Sequence, residues 1–196
     1  MASDEEAERF RLPPGAHGLP PELIARNQRE RLIAAIAEAC AERSYAEVAV
    51  SEIVKRAGVS NATFYAQFTD KKECLLAAHE ELVGRLLEEV DRAREQKAEP
   101  SVQTRAAVRL TLELLAADPP SARLLTVEVL AAGPAGMACH AAAIEEIAAR
   151  LQVSWSTIAA MTMLVGRLVM AGEAGRLSEL EDELVAMVVD STRSDK

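Results

Sequence analysis

The chain has 196 residues, 49% of them hydrophobic and 27% charged, with 3% aromatic and a net charge of −9. That length and apolar content sustain one or two cores, and a composition led by Ala, Leu, Glu and Arg builds packed helices, which excludes an all-β barrel or sandwich. Cys40, Cys74 and Cys139 are odd in number and widely spaced, with no His at ligand intervals, so neither a disulfide framework nor a zinc module fits; metal and catalytic residues are not expected. The opening residues carry acids and no apolar run, unlike a signal peptide, and the longest uncharged apolar stretch, Ser154 to Gly166, is short of the roughly 20 residues a bilayer needs. A soluble, cytoplasmic protein is expected, with no membrane partner. The charge is uneven. From Glu22 to Leu75 eight Lys/Arg balance eight Asp/Glu, and the acidity lies in the rest of the chain, a division of labour between a neutral N-terminal third and an acidic remainder.

In chain order, residues 1–20 hold Pro13, Pro14, Gly15, Gly18 and Pro20 without periodicity, and read as a flexible arm. Residues 21–69 form the next domain. Leu32, Ile33, Ile36, Ala37 and Cys40 recur at helical steps. A second, short helix carries Val50, Ile53, Val54 and Ala57 and stops at Gly58, the natural left-handed residue. Ser60 then caps a third short helix with Phe64 and Phe68 inward. Asp70 and Glu73 form a capping-box variant that opens a long helix, with Leu75, His79, Leu82, Leu86 and Val90 on one stripe, running to about Lys97. Residues 70–196 make a second helical domain, with further helices at about 102–118, 120–132, 135–152, 155–172 and 178–192. The helix at 155–172 is apolar on nearly every side except at Arg167, so it needs two apolar neighbours. A homodimer through 155–172 and 178–192 supplies the second.

The stretch from Val50 to Phe68, VSEIVKRAGVSNATFYAQF, is a helix, a tight turn at Gly58 and a second helix. That is the helix-turn-helix arrangement, whose second helix enters a DNA major groove. In that geometry Asn61 and Thr63 meet base edges, while Ser60, Tyr65, Thr69, Lys71 and Lys72 face phosphate oxygens.

On Tyr45, Val50, Ile53, Ala57-Gly58-Val59-Ser60, Thr63-Phe64-Tyr65, Phe68, Lys71, Glu73 and Leu75, the chain resembles the TetR family of bacterial transcriptional regulators across about Leu32 to Leu76. The resemblance implies an all-α fold: an N-terminal three-helix DNA-binding domain, a linking fourth helix, and a helical ligand-binding body that dimerises through its last two helices. It also implies a repressor that binds a palindromic double-stranded operator as a homodimer and responds to a small-molecule effector, with no other cofactor. Four positions depart from the family's usual residues: Cys40, Ser44, Ala49 and Gln67. Ala49 lacks a capping oxygen, a loss of about 1 kcal/mol, and Ser44 stands where a left-handed backbone is expected. Ala62 offers a methyl to thymine, and Gln67 completes the candidate DNA-binding set.

His79, Met137, Trp155, Met161 and Met163 are the candidate pocket residues. Soft, adaptable side chains suit varied apolar ligands, although packing in the core or at a dimer interface is the ordinary use of such residues. His140 and Cys139 are sequence neighbours that point about 100° apart on a helix, and the Glu pairs read as solvated faces. No convergent acid/base set supports an enzyme. A helical small-molecule-binding or partner-binding protein without DNA activity is the alternative.

Overall fold

The structure, a computed structural model, describes residues 20–95 and 99–194. The arm before Pro20 and the expected helix end at Lys97 lie outside the described residues. Among the described residues every regular element is helical, in agreement with the all-α reading. Two compact units divide between Ala78 and His79.

In the N-terminal unit, α1 (Pro21–Glu42) starts on a proline, whose missing N–H costs nothing at a helix start. Its inward face buries Leu32, Ile33, Ile36 and Cys40. The loop that follows buries Tyr45 and Val48. Next comes α2 (Val50–Ala57), uncapped at Ala49 as expected and closed by Gly58 in the left-handed region, φ 61° and ψ 39°. Arg31 of α1 donates to the Gly58 carbonyl at 2.9 Å. The backbone angle favours glycine, and a Cβ at Gly58 would lie 2.6 Å from that guanidinium and displace it.

The third helix, α3 (Asn61–Gln67), is capped by Ser60, whose hydroxyl accepts the Thr63 N–H at 3.0 Å. Phe64 is fully buried, a contribution of about 2–3 kcal/mol, and its ring meets that of Phe68 at 5.8 Å. The first turn of α4 (Lys71–Arg94) is closed by Asp70, which accepts the Glu73 N–H at 2.8 Å, and by Glu73, which accepts from both N–H and hydroxyl of Thr69 at 2.6 Å. The capping box is therefore real, with its return bond moved one residue outward. The expected left-handed strain at Ser44 is absent: among the described residues Gln152 is the one non-glycine with positive φ. Instead the Ser44 N–H and hydroxyl both donate to Glu47 in a tight local turn.

The C-terminal unit takes the remainder of α4, then α5 (Pro100–Ala117), α6 (Pro119–Thr126), a 3-10 turn (Glu128–Ala132), α7 (Pro134–Leu151), α8 (Trp155–Met170), a second 3-10 segment (Ala174–Leu180) and α9 (Glu181–Ser194). Here α8 packs on α6, α7 and α9, while α5 packs on α9 and the second 3-10 segment. Gly166 faces α6, where a Cβ would meet Thr126 at 3.5 Å, an ordinary van der Waals contact. On α8 the apolar residues divide. Ile158, Val165, Leu168 and Val169 are buried, whereas Met163 and Met170 are 76% and 67% exposed.

Two expected helices are shorter than their sequence pattern. The 120–132 helix breaks at Val127 (φ −127°), where the Thr126 hydroxyl takes the Ala122 carbonyl and buried Glu128 pairs with Arg123 at 2.9 Å. The last helix begins at Glu181, where Arg105 and Arg109 of α5 hold the carboxylate and lower its pKa to about 2.

Candidate functional site

On α3 the buried Phe64 and Phe68 turn the opposite face outward. Asn61, Ala62 and Tyr65 are exposed there, Tyr65 at 60%, while Thr63 is half-buried. Tyr65 is braced by Phe64, their rings 5.3 Å apart and nearly perpendicular. The hydroxyls of Ser60 and Thr63 lie 3.0 Å apart, so Ser60 is engaged in capping and Thr63 in pairing with it. Gln67 is half-buried and donates to the Ala25 carbonyl at 3.2 Å, and Thr69 is bound to Glu73. The structure therefore presents Asn61, Ala62 and Tyr65 together, and turns Ser60, Gln67 and Thr69 toward the support of the motif.

The cations sort in the same way. Arg56 donates two bonds to Glu42, at 2.8 and 2.6 Å, and lies close to Glu38 and Glu52, so its charge is met within the unit and the Glu42 carboxyl is held below its usual pKa. Arg29 stacks over Phe68 at 4.5 Å. Lys71, expected at a phosphate, is turned inward: Nζ donates to the carbonyls of Tyr45 at 2.8 Å, Val48 at 2.8 Å and Ala46 at 3.3 Å, and sits 4.5 Å from the Tyr45 ring centre. It closes the α1–α2 loop onto α4. Lys55 and Lys72 are exposed and carry no ion pair among the described residues. Sequence reasoning did not single out Arg29 and Arg31 as motif supports; the available signal was two cations one turn from the buried face of α1.

In the C-terminal unit a cavity of about 100 Å³ opens between α4, α5, α7 and α8, walled by aliphatic side chains together with His79, His140, Thr111, Thr126 and Thr162. Of the candidate pocket residues, His79 and Met161 line it. Met137, Trp155 and Met163 do not: they are 62%, 51% and 76% exposed, on the outer surfaces of α7 and α8. A helix that is apolar nearly all round, as α8 is, gives no sign of which side meets the core, and residue type alone does not place Met137 on α7 either. Cys139 and His140, neighbours that point apart along α7, both reach His79. Cys139 Sγ is 3.4 Å from His79 Nδ1, and the His140 ring is 5.8 Å from the His79 ring, because His79 enters from α4 between the two. Burial, reinforced by the adjacent His140 ring, lowers the His79 pKa to about 4; burial also lowers His140 and raises the Cys139 thiol. Both imidazoles are neutral at pH 7.

Residues 32–78 match the family model described as bacterial regulatory proteins, tetR family. A fatty acid metabolism regulator protein of Bacillus subtilis is 31% identical over 88 residues, 45% of each chain, so the match spans less than half of that curated relative. Over most of the chain the fold is similar to solved structures. The fatty acid degradation regulator FadR of Bacillus halodurans superposes with a TM-score of 0.73 at 19% identity over 82% of this chain and 94% of that one. FadR of Bacillus subtilis, in complex with stearoyl-CoA, gives 0.71 at 20% identity over 83% and 98%. A transcriptional regulator from Rhodococcus sp. Rha1 gives 0.65 at 25% identity over 85% and 96%. The helix-turn-helix segment, residues 32–78, is thus similar to the tetR family of bacterial regulatory proteins.

Proposed function

We propose that this protein is a DNA-binding transcriptional repressor that acts in the cytoplasm as a homodimer on a palindromic operator and answers to a small molecule. The observation that carries the reading is the exposed face of α3, where Asn61, Ala62 and Tyr65 stand clear on a helix whose other side is locked into the core. Residues 21–69 are the DNA-binding domain and residues 70–196 the regulatory and dimerisation domain. Asn61 and Thr63 read base edges, Ala62 meets a thymine methyl, and Tyr65 and Lys72 contact phosphates. Ser60, Gln67, Thr69 and Lys71 hold the reading helix in position. The role is recognition, not catalysis.

Two copies of α3 have to reach successive major grooves, about one helical turn apart or a multiple of it. Met163 and Met170 on α8 support the dimer face, since exposed methionines, with Arg167 the one charge between them, favour burial against a second copy. The effector enters the apolar cavity of the C-terminal unit. An acyl chain of the kind in the stearoyl-CoA complex of Bacillus subtilis FadR has the chemistry that such walls accept. The effector changes operator affinity only by its difference in affinity for the two conformations.

The test is a titration of labelled DNA from the flanks of the protein's own gene, with random competitor DNA present. A preference of at least a hundredfold for one palindromic fragment is expected. Equal affinity for all fragments refutes the reading and leaves a helical ligand-binding protein without DNA activity.

A further inference from the structure

The cavity wall carries no Asp, Glu, Lys or Arg. Two of its hydroxyls are already used, since Thr126 and Thr162 donate to the carbonyls of Ala122 and Ile158, one turn back, at 2.8 and 2.9 Å. Two ring nitrogens are in a different condition. His79 Nε2 and His140 Nδ1 are buried and have no hydrogen-bond partner among the described residues, and His79 as a whole is only 1% exposed. Polar atoms withdrawn from water and left unmatched are costly, and here two stand side by side in an apolar wall.

Their surroundings assign the protons. The Cys139 thiol, which burial keeps protonated, lies 3.4 Å from His79 Nδ1. With the S–H donated to Nδ1, the neutral ring carries its own proton on Nε2 and offers a donor. His140 is neutral too; with no partner at Nδ1 it takes the Nε2–H tautomer, the commoner form of a free imidazole, and leaves Nδ1 as a bare acceptor. The pair therefore presents one donor and one acceptor.

Building on the reading of this cavity as the effector site, we propose that His79 and His140 together recognise a hydroxyl group on an otherwise apolar, uncharged ligand. A hydroxyl accepts from His79 Nε2 and donates to His140 Nδ1, satisfying both. A ketone satisfies one. A carboxylate cannot donate, and it would bring a charge into a wall that holds no cation.

The test uses the full chain at pH 7.5 and three probes of one chain length, hexan-1-ol, hexan-2-one and hexanoate. Binding is measured by calorimetry, and the imidazole nitrogens are followed by NMR on protein labelled at histidine. Hexan-1-ol is expected to bind about tenfold more tightly than hexan-2-one, the ratio for one hydrogen bond, and more tightly still than hexanoate. It should also shift His79 Nε2 and His140 Nδ1 in the unmutated protein. His140→Phe should bring the alcohol down to the ketone's affinity. Equal or tighter binding of hexanoate, or imidazole resonances that do not move, overturns the inference and leaves the repressor reading standing. Failure of all three probes to bind overturns it along with the assignment of the cavity as effector site, while the operator titration still decides DNA recognition separately.

Discussion

Replacing Lys71 with alanine separates two roles that a cation beside a DNA-reading helix can fill. The ammonium meets the carbonyls of Tyr45 and Val48 at 2.8 Å and that of Ala46 at 3.3 Å. A charged donor on a carbonyl contributes about 1.5–3 kcal/mol when shielded, and the half-exposed position discounts each short bond to about 1 kcal/mol. The longer bond and the cation over the Tyr45 ring add about 0.5 kcal/mol each. Lys71→Ala should therefore destabilise the fold by about 3 kcal/mol, a fall in Tm of about 6–10 °C for a chain of this size. A phosphate contact makes the opposite forecast: an unchanged melt, and a salt dependence of operator binding flatter by about one counterion. Calorimetric melts and DNA titrations across 50–200 mM salt on the same preparation measure both. If the Tm stays within 1 °C of the parent and the salt slope falls by one, the inward assignment of Lys71 is refuted.

Other positions give equally specific outcomes. Asn61→Ala should change the preferred base at one operator position by about 1–3 kcal/mol, whereas Lys72→Ala should weaken all sequences alike and flatten the salt slope by about one; fragment selections under varied salt distinguish them. Gly136→Ala, a stabilising exchange in most helices, should cost more than 2 kcal/mol, because the new Cβ would stand 1.9 Å from the Val129 carbonyl oxygen, and urea titration reads the sign directly. Met163→Asp should convert dimer to monomer at micromolar concentration in sedimentation runs, with the helical signal unchanged. Because the folded His79 pKa is about 4, below the free imidazole's 6.5, the unfolded chain binds the extra proton. The stability this gives is complete above pH 6.5 and lost as pH falls toward 4, by about 3 kcal/mol, with the lowered His140 acting in the same direction. Glu181, held near 2 by Arg109 and Arg105, loses its contribution only below about pH 4.5, so denaturation midpoints that are flat from pH 7.5 to 5 count against the buried neutral imidazole.

The parts of the fold legible in the sequence are those whose cause is local. Apolar spacing, Gly58 and Ser60 specify a helix, its stop and the next start within a dozen residues, and the same short span brings Asn61, Ala62 and Tyr65 onto one face. Helix boundaries set by distant partners were not legible. Glu181 starts α9 because Arg105 and Arg109 reach it from α5, and the break at Val127 depends on Thr126 and on the burial of Glu128. Lys71 shows the limit within the motif itself. Its place beside the reading helix suits a phosphate, yet a four-carbon stem reaches inward as readily as outward, and the loop carbonyls it binds come from residues more than twenty positions earlier.

The histidine cluster marks the same boundary in the regulatory unit. Taken along one helix, Cys139 and His140 diverge and have no shared chemistry. In three dimensions the His79 ring, delivered by α4, sits between them and turns two unrelated neighbours into partners of one imidazole. No spacing rule carries that, because His79 is delivered by another helix from sixty positions earlier in the chain, and its meeting with α7 depends on how the helices of this unit pack. A frame built from general helix packing tolerates exchange of those polar residues at little cost to the fold, so ligand chemistry in this unit can diverge while the DNA-reading segment, tied to α1 and its loop by Arg31, Gln67 and Lys71, keeps its pattern.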